Sequence, residues 1–290
     1  MFGECHAHLI MDGKNYREAV NLHREAVRED VVREHLRVYK ENGITFVRDG
    51  GDGFGVSKRG KELAKEYGID YRSPIFAIHK KGHYGRIVGY SFSDEREYRE
   101  RIRQVIAEGG DFVKIMISGI MDYKECGLLS EEPLQAQEIQ EMIHIAHEEG
   151  MAVMVHGNGN EAVVAAAKAG ADSIEHGNYI KRECMEAMAE HGCVWVPTIV
   201  TTKNLLGCGR YDEKTLRQIF ETECENLRQA YQCGVQLALG SDAGAYQVFH
   251  GTAVQQEYEI FLQALDCAKE ELDDHLRRGE AIIQKKFCRH

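Results

Sequence analysis

Apolar residues fall into short runs along the chain, separated by longer stretches in which they recur every three to four positions. The runs are "FGECHAH" (2–8), "GITFVRDG" (43–50), "IDYRSPIFAIH" (69–79), "DFVKIMIS" (111–118), "MAVMVHG" (151–157), "DSIEHG" (172–177), "CVWVPTIV" (193–200) and "VQLALGSDAG" (235–244). Runs this short read as strands. The segments 17–41, 94–108, 135–149, 160–169, 181–191 and 213–233 carry helical periodicity. Several end in glycine just before the next run, in "KENG", "AEGG", "HEEG", "AKAG", "AEHG" and "YQCG". Glycine there accepts the left-handed conformation that closes a helix. Eight strands alternating with helices predict an α/β protein, a (β/α)8 TIM barrel forming one domain over residues 1–290. A doubly wound open sheet is the alternative, but no GxGxxG opens a helix and no P-loop lysine occurs.

One run contains an anomaly. In "DFVKIMISGI" (111–120), Val113, Ile115 and Ile117 fall on one face, and Phe112, Lys114 and Met116 on the other. Two apolar faces mark a strand covered on both sides. An ammonium there costs several kcal/mol unless it is paired or chemically changed. A salt bridge to Glu4 is the simplest structural account.

Composition narrows the function classes. Hydrophobic content of 43% supports a large core, and 36 basic against 47 acidic residues give −11, which disfavours nucleic-acid and anionic-membrane partners. Nine cysteines without a CxxC pair fit reduced thiols rather than a disulfide framework. With no signal-like N-terminus and no long apolar stretch, the expectation is a soluble cytoplasmic protein.

A barrel should gather its functional groups at the C-terminal ends of its strands. His6 and His8 end the first run, two apart and so on one face. His156, His176 and Asp242 end the fifth, sixth and eighth, and Lys114 lies in the fourth. Each alone has an ordinary reading: a core histidine bonded to backbone, or, for "SDAG", an N-cap of the last helix. Those readings give no reason for six metal-ligand-like groups to share one rim. His144 and His147, three apart on a helix, read instead as flanking a buried stripe of Ile139, Met142, Ile143 and Ala146. "GDGFG" (51–55) reads as a loop near the mouth, and the dense charges within 24–41 as an exposed helix face.

The order HxH, Lys, His, His, Asp on successive strands resembles the amidohydrolase superfamily. The words "GITFVRDGG", "FVKIMISG", "AVMVHGNG", "AGADSIEHG", "VPT" and "GSDAG" resemble its imidazolonepropionase-like and Xaa-Pro-dipeptidase-like (prolidase-like) branch, from about residue 4 to about 250. The resemblance implies a binuclear metal centre. His6, His8 and Asp242 would hold the more buried ion, and His156 and His176 the other. A CO2-derived carbamate on Lys114 would bridge them. It implies hydrolysis of an amide-type C–N bond by a metal-activated hydroxide, with Asp242 moving the proton. Zn²⁺ suits these ligands best, with Mn²⁺, Fe²⁺ and Co²⁺ as alternatives. A lyase or phosphoesterase on the same barrel is the second reading. A barrel that binds without turnover is the third, and the presence of Asp242 argues against it.

The chain departs from the family in three places. The HxH stands at residue 6, so the expectation is a barrel lacking the family's flanking β-sandwich, with either a truncated chain or a homo-oligomer that covers the bared face as the account of it. Glu4 stands where the family usually carries Asp. After "VPT" comes "IVTTK", without the tyrosine some members use. The loop "HKKGHYGR" (79–86) is basic in an acidic protein. It predicts a small-molecule substrate bearing a carboxylate, such as a dipeptide, N-acyl amino acid or cyclic amide, bound by His83 and Arg86. The resemblance places His83 where the branch has a substrate-contacting histidine. Lys203, Arg210 and Tyr211 are candidates for a lid.

Overall fold

The structure, a computed structural model, describes residues 1–289. Ten strands form: β1 (Glu4–Ala7), β2 (Phe46–Asp49), β3 (Asp70–Arg72), β4 (Ala77–Lys80), β5 (Gly89–Phe92), β6 (Val113–Met116), β7 (Val153–Gly157), β8 (Ser173–His176), β9 (Val194–Val196) and β10 (Gln236–Leu237). They make two sheets, β1-β2-β3 and β10-β9-β8-β7-β6-β4-β5, in which every pair is parallel. Backbone bonds join the sheets at both sides. Asp111 N donates to Ser73 O (2.9 Å) between the β6 and β3 ends. Opposite, Cys5 N donates to Leu239 O (2.9 Å), Asp242 N to His6 O (2.8 Å) and His8 N to Ala243 O (2.8 Å). All eight apolar runs contain a strand, and helices follow most of them, so the α/β pattern holds.

Three local expectations need correction. The segment 17–41 is two helices, Tyr16–Leu22 and Glu29–Glu41, because the chain turns at His23, whose Nδ1 accepts from Arg28 N (3.1 Å). The run 69–79 bends between β3 and β4, where Ser73 Oγ accepts from Ile75 N (2.9 Å), and β5 adds a parallel neighbour to β4. Ser241 and Asp242 cap no helix; the following helix is Ala253–Ala264, with Thr252 at its N-cap.

The alternation read in β6 is present. Val113, Ile115 and Ile117 belong to the main core, while Phe112 joins a second cluster with Phe46, Met154, Val194, Val196, Ile283 and Phe287. Residues beyond 250 carried no assignment in the sequence. Here the helix Lys269–Lys286 delivers Ile283, with Phe287 just after it, into that second cluster. A Cβ at Gly279 would collide with the backbone of Leu237, so glycine lets this helix lie flush on β10. Glu29–Glu41 does show the expected charged outer face, with Arg33 paired to Glu66 (2.6 Å) and Arg37 to Glu34 (2.6 Å).

Candidate active site and metal centre

Strand pleating brings His6 inward, and the chain continues one step further to His8. Both are buried. A Cβ at Gly50 would sit 2.8 Å from Nε2 of His8, and one at Gly240 would sit 2.9 Å from the Cβ of His6. The glycines in "RDGG" and "GSDAG" therefore make room for the two imidazoles. Asp242 arrives from the opposite edge, its Oδ1 3.5 Å from Nε2 of both His6 and His8. One ligand atom from each of these three residues falls within 4.8 Å of the others, close enough to hold a metal ion.

The remaining groups surround this cluster. Lys114 is fully buried, and its Nζ lies 3.5 Å from His6 Nε2. No carboxylate forms an ion pair with it among the described residues. Glu4 instead accepts from Ser241 N (2.8 Å), Ser241 Oγ (2.5 Å) and His6 N (3.2 Å), so the Lys114–Glu4 bridge does not form. Ring centroids of His6 and His176 are 4.9 Å apart, and those of His156 and His176 4.8 Å. His176 and Asp242, together with Thr198, adopt left-handed backbone with φ of 68°, 59° and 56°. That conformation is costly for non-glycine residues and clusters at functional sites.

Partners on the far ring nitrogens decide which lone pair each imidazole can offer. His6 Nδ1 meets Glu175 Oε2 at 2.7 Å, and His176 Nδ1 meets Thr198 Oγ1 at 2.7 Å, so in both Nε2 is the nitrogen left to face the cluster. His156 Nε2 donates to Gly119 O (3.3 Å), leaving Nδ1. His8 Nδ1 is buried without a partner among the described residues.

The electrostatics fit a cation. Burial first, then neighbouring Lys114, pushes the His8 and His156 pKa values down to about 3. Burial also holds His6 and His176 well below the usual imidazole range. Four neutral imidazoles are four available lone pairs. Burial raises Asp242 to about 7 and lowers Lys114 to about 8. A half-buried carboxylate whose only ring or ammonium neighbours among the described residues are the His6 and His8 imidazoles at 3.5 Å fits a divalent ion as its partner.

A cavity of ≈ 690 Å³ opens above the cluster and is lined by His8, Lys114, His156, His176 and Asp242. His6 lies outside its lining. His83 and Arg86 line it too, but the loop's charge is less concentrated than the sequence suggested. Lys80 pairs with Glu138 (2.8 Å), His79 Nδ1 bonds the Lys80 carbonyl (3.0 Å), and Glu131 lies 3.9 Å from His83. The segment carrying Lys203, Arg210 and Tyr211 borders the mouth indirectly. Arg210 stacks on Tyr246 (4.7 Å), Tyr211 on Tyr123 (5.4 Å) and Lys203 on Phe220 (5.2 Å). Sequence reasoning missed the lining tyrosines Tyr16, Tyr84, Tyr123 and Tyr246. Each follows a strand end, the one signal that could have found them. His147 bonds Asp172 (3.0 Å) and His144 is exposed, so that pair builds no second site. "GDGFG" leads from β2 into the helix Val56–Leu63, Asp52 accepting from the Phe54, Val56 and Ser57 amides.

Among curated proteins, the ochratoxinase of Aspergillus niger is 27% identical over 157 residues, covering 50% of this chain and 31% of that protein. An uncharacterized protein of Mycobacterium tuberculosis is 28% identical over 174 residues, covering 57% of this chain and 46% of that one. The chain thus spans less than half the length of these relatives. Among solved structures, a Xaa-Pro dipeptidase with bound methionine in its active site superposes with TM-score 0.72 at 24% identity, over 96% of this chain and 75% of that one. The structure of A. niger ochratoxinase gives 0.71 at 20%, over 91% and 66%. At such identities these likenesses show the fold. No helix among the described residues is long and apolar enough to cross a membrane. The match that settles the family is broader: residues 5–272 fit the amidohydrolase family throughout, and the chain belongs to it.

Proposed function

We propose that this chain is a binuclear metal-dependent hydrolase that cleaves amide-type C–N bonds in small substrates bearing a carboxylate. The observation carrying the reading is the convergence of His6, His8 and Asp242 ligand atoms within 4.8 Å, beside a cavity that also receives Lys114, His156 and His176. The hydrogen bonds linking β1 to the segment after β10 support reading the two sheets as one closed eight-stranded barrel.

On this reading His6, His8 and Asp242 hold one divalent ion, and His156 and His176 a second. Imidazole and carboxylate donors suit Zn²⁺. Lys114 joins them as a carbamate. Its neutral amine forms an N–C bond to CO2 and releases one proton, turning a buried cation into a metal-binding anion. A pKa near 8 supports this by populating the neutral amine. Two ions bound here would supply a hydroxide nucleophile near neutral pH and polarise the scissile carbonyl. On this reading Asp242 takes the proton of the attacking hydroxide and delivers it to the leaving nitrogen, its Oδ1 lying beside both His6 and His8. His83 and Arg86, across the cavity, orient the substrate carboxylate. Tyr84, stacked 5.3 Å from His156, helps exclude water. The name of the similar Xaa-Pro dipeptidase supports placing dipeptides in the substrate panel.

Metal content and turnover test the proposal together. Purified protein should carry two equivalents of transition metal. It should hydrolyse members of a panel of dipeptides, N-acyl amino acids and cyclic amides, lose that activity to a chelator and regain it with Zn²⁺, Mn²⁺ or Co²⁺. Protein that takes up no metal and turns over none of these would overturn it.

A further inference from the structure

Beneath the cluster lies a buried polar chain that the proposed mechanism does not use. Glu175 and Arg48 are both fully buried. Glu175 Oε1 accepts from Arg48 Nη2 (2.9 Å) and Ser173 Oγ (2.5 Å), while Oε2 faces His6 Nδ1 at 2.7 Å. Arg48 also donates through Nη1 to Ser173 Oγ (2.8 Å) and through Nε to the Cys5 carbonyl (2.7 Å). Its guanidinium centre sits 4.5 Å above the Phe287 ring, which closes the network from the C-terminal helix. Arginine and carboxylate usually meet in a two-bond fork. Here Glu175 gives one oxygen to Arg48 and Ser173 and reserves the other for an imidazole. Among the four site histidines, His6 is the one whose far nitrogen meets a carboxylate.

We propose that Glu175, held by Arg48 and Ser173, is a positioning residue that fixes His6 in its Nδ1–H form, so that Nε2 is the lone pair offered to one metal. This rests on the metal-hydrolase reading above. A carboxylate has no hydrogen to donate, so a neutral His6 beside it must carry its proton on Nδ1. Nε2 then faces Asp242 Oδ1 and Lys114 Nζ, each at 3.5 Å. Nothing comparable fixes His8, whose Nδ1 is unpartnered among the described residues.

Glu175→Gln tests this with little change of shape. Arg48 and Ser173 still require an acceptor, so the amide oxygen should stay with them and the NH2 should turn to His6. His6 Nδ1 must then accept, moving its proton to Nε2 and blocking the ligand atom. In metal-free ¹⁵N-histidine-labelled protein, His6 (assigned by its loss in His6→Gln) should be the Nδ1–H tautomer in the parent and Nε2–H in E175Q. Competition with a chromophoric chelator should show one of two Zn²⁺ sites weakened about ten- to a hundredfold, the other within about threefold. Parent His6 in the Nε2–H form overturns the proposal even if E175Q fails to fold. Folded E175Q with both affinities unchanged overturns it while leaving the proposed function standing. Parent protein that binds no Zn²⁺ overturns both.

Discussion

Replacing Lys114 by methionine should stabilise the metal-free protein while destroying its activity. The side chain is fully buried, and burial lowers its pKa from 10.5 to about 8, even after the attraction of Glu175 and Asp242. At about 1.4 kcal/mol per pKa unit, holding the ammonium there costs the folded state roughly 3 kcal/mol. The sign follows from proton binding. Between pH 8 and 10.5 the unfolded chain binds the proton more tightly, so this cost is fully present below about 8 and fades as pH rises towards 10.5. Methionine fills similar volume without charge, so Lys114→Met should gain up to roughly 3 kcal/mol at pH 7, under about 1 kcal/mol at pH 10 and nothing above about pH 11. Urea unfolding of chelated protein, parent against variant, across that range measures both. The metal-loaded variant should have lost its hydrolytic activity, and Lys114→Ala should regain part of it with added short carboxylic acids standing in for the carbamate. A methionine variant less stable than the parent at pH 7 would refute the desolvation argument. Two bound metals and full activity in Lys114→Ala without added acid would refute the carbamate.

Other perturbations separate the remaining parts of the site. Asp242→Asn should lower kcat by at least about a hundredfold with near-UV circular dichroism unchanged, the scale of general acid–base work; a variant within a few-fold of the parent would assign the proton to another group. Gly50→Ala should displace the buried His8 ring, since its Cβ would collide with Cε1, and so weaken metal uptake measured by chelator competition while costing about 1–3 kcal/mol of stability. Replacing His83 or Arg86 by uncharged residues should cost about 1.5–3 kcal/mol in kcat/KM for an acid substrate and much less for its neutral amide, whereas equal losses would mean the loop shapes the cavity without reading charge.

What the sequence made legible follows from what leaves a local trace. Strands covered on both faces appear as apolar runs, so all eight runs contain a strand. His6, His156, His176 and Asp242 stood out because each is a polar residue where such a run ends. The break at His23 left no trace, because apolar periodicity runs on through the turn and a side-chain bond to Arg28 makes the corner. The charge of residues 79–86 was overcounted for a related reason: Glu131 and Glu138, which face that loop, lie about fifty residues further along the chain. Glu175 and Arg48 were in plain view within "SIEHG" and "FVRDG", yet 127 positions separate them. A lone acid or base inside an apolar run is a debt of several kcal/mol that the run cannot discharge by itself. Lys114, Arg48 and Glu175 are three such residues, each fully buried. Arg48 and Glu175 settle with each other and hold His6; Lys114 has no such partner among the described residues. That asymmetry is the ground on which a change of chemistry is proposed for Lys114 and not for the other two.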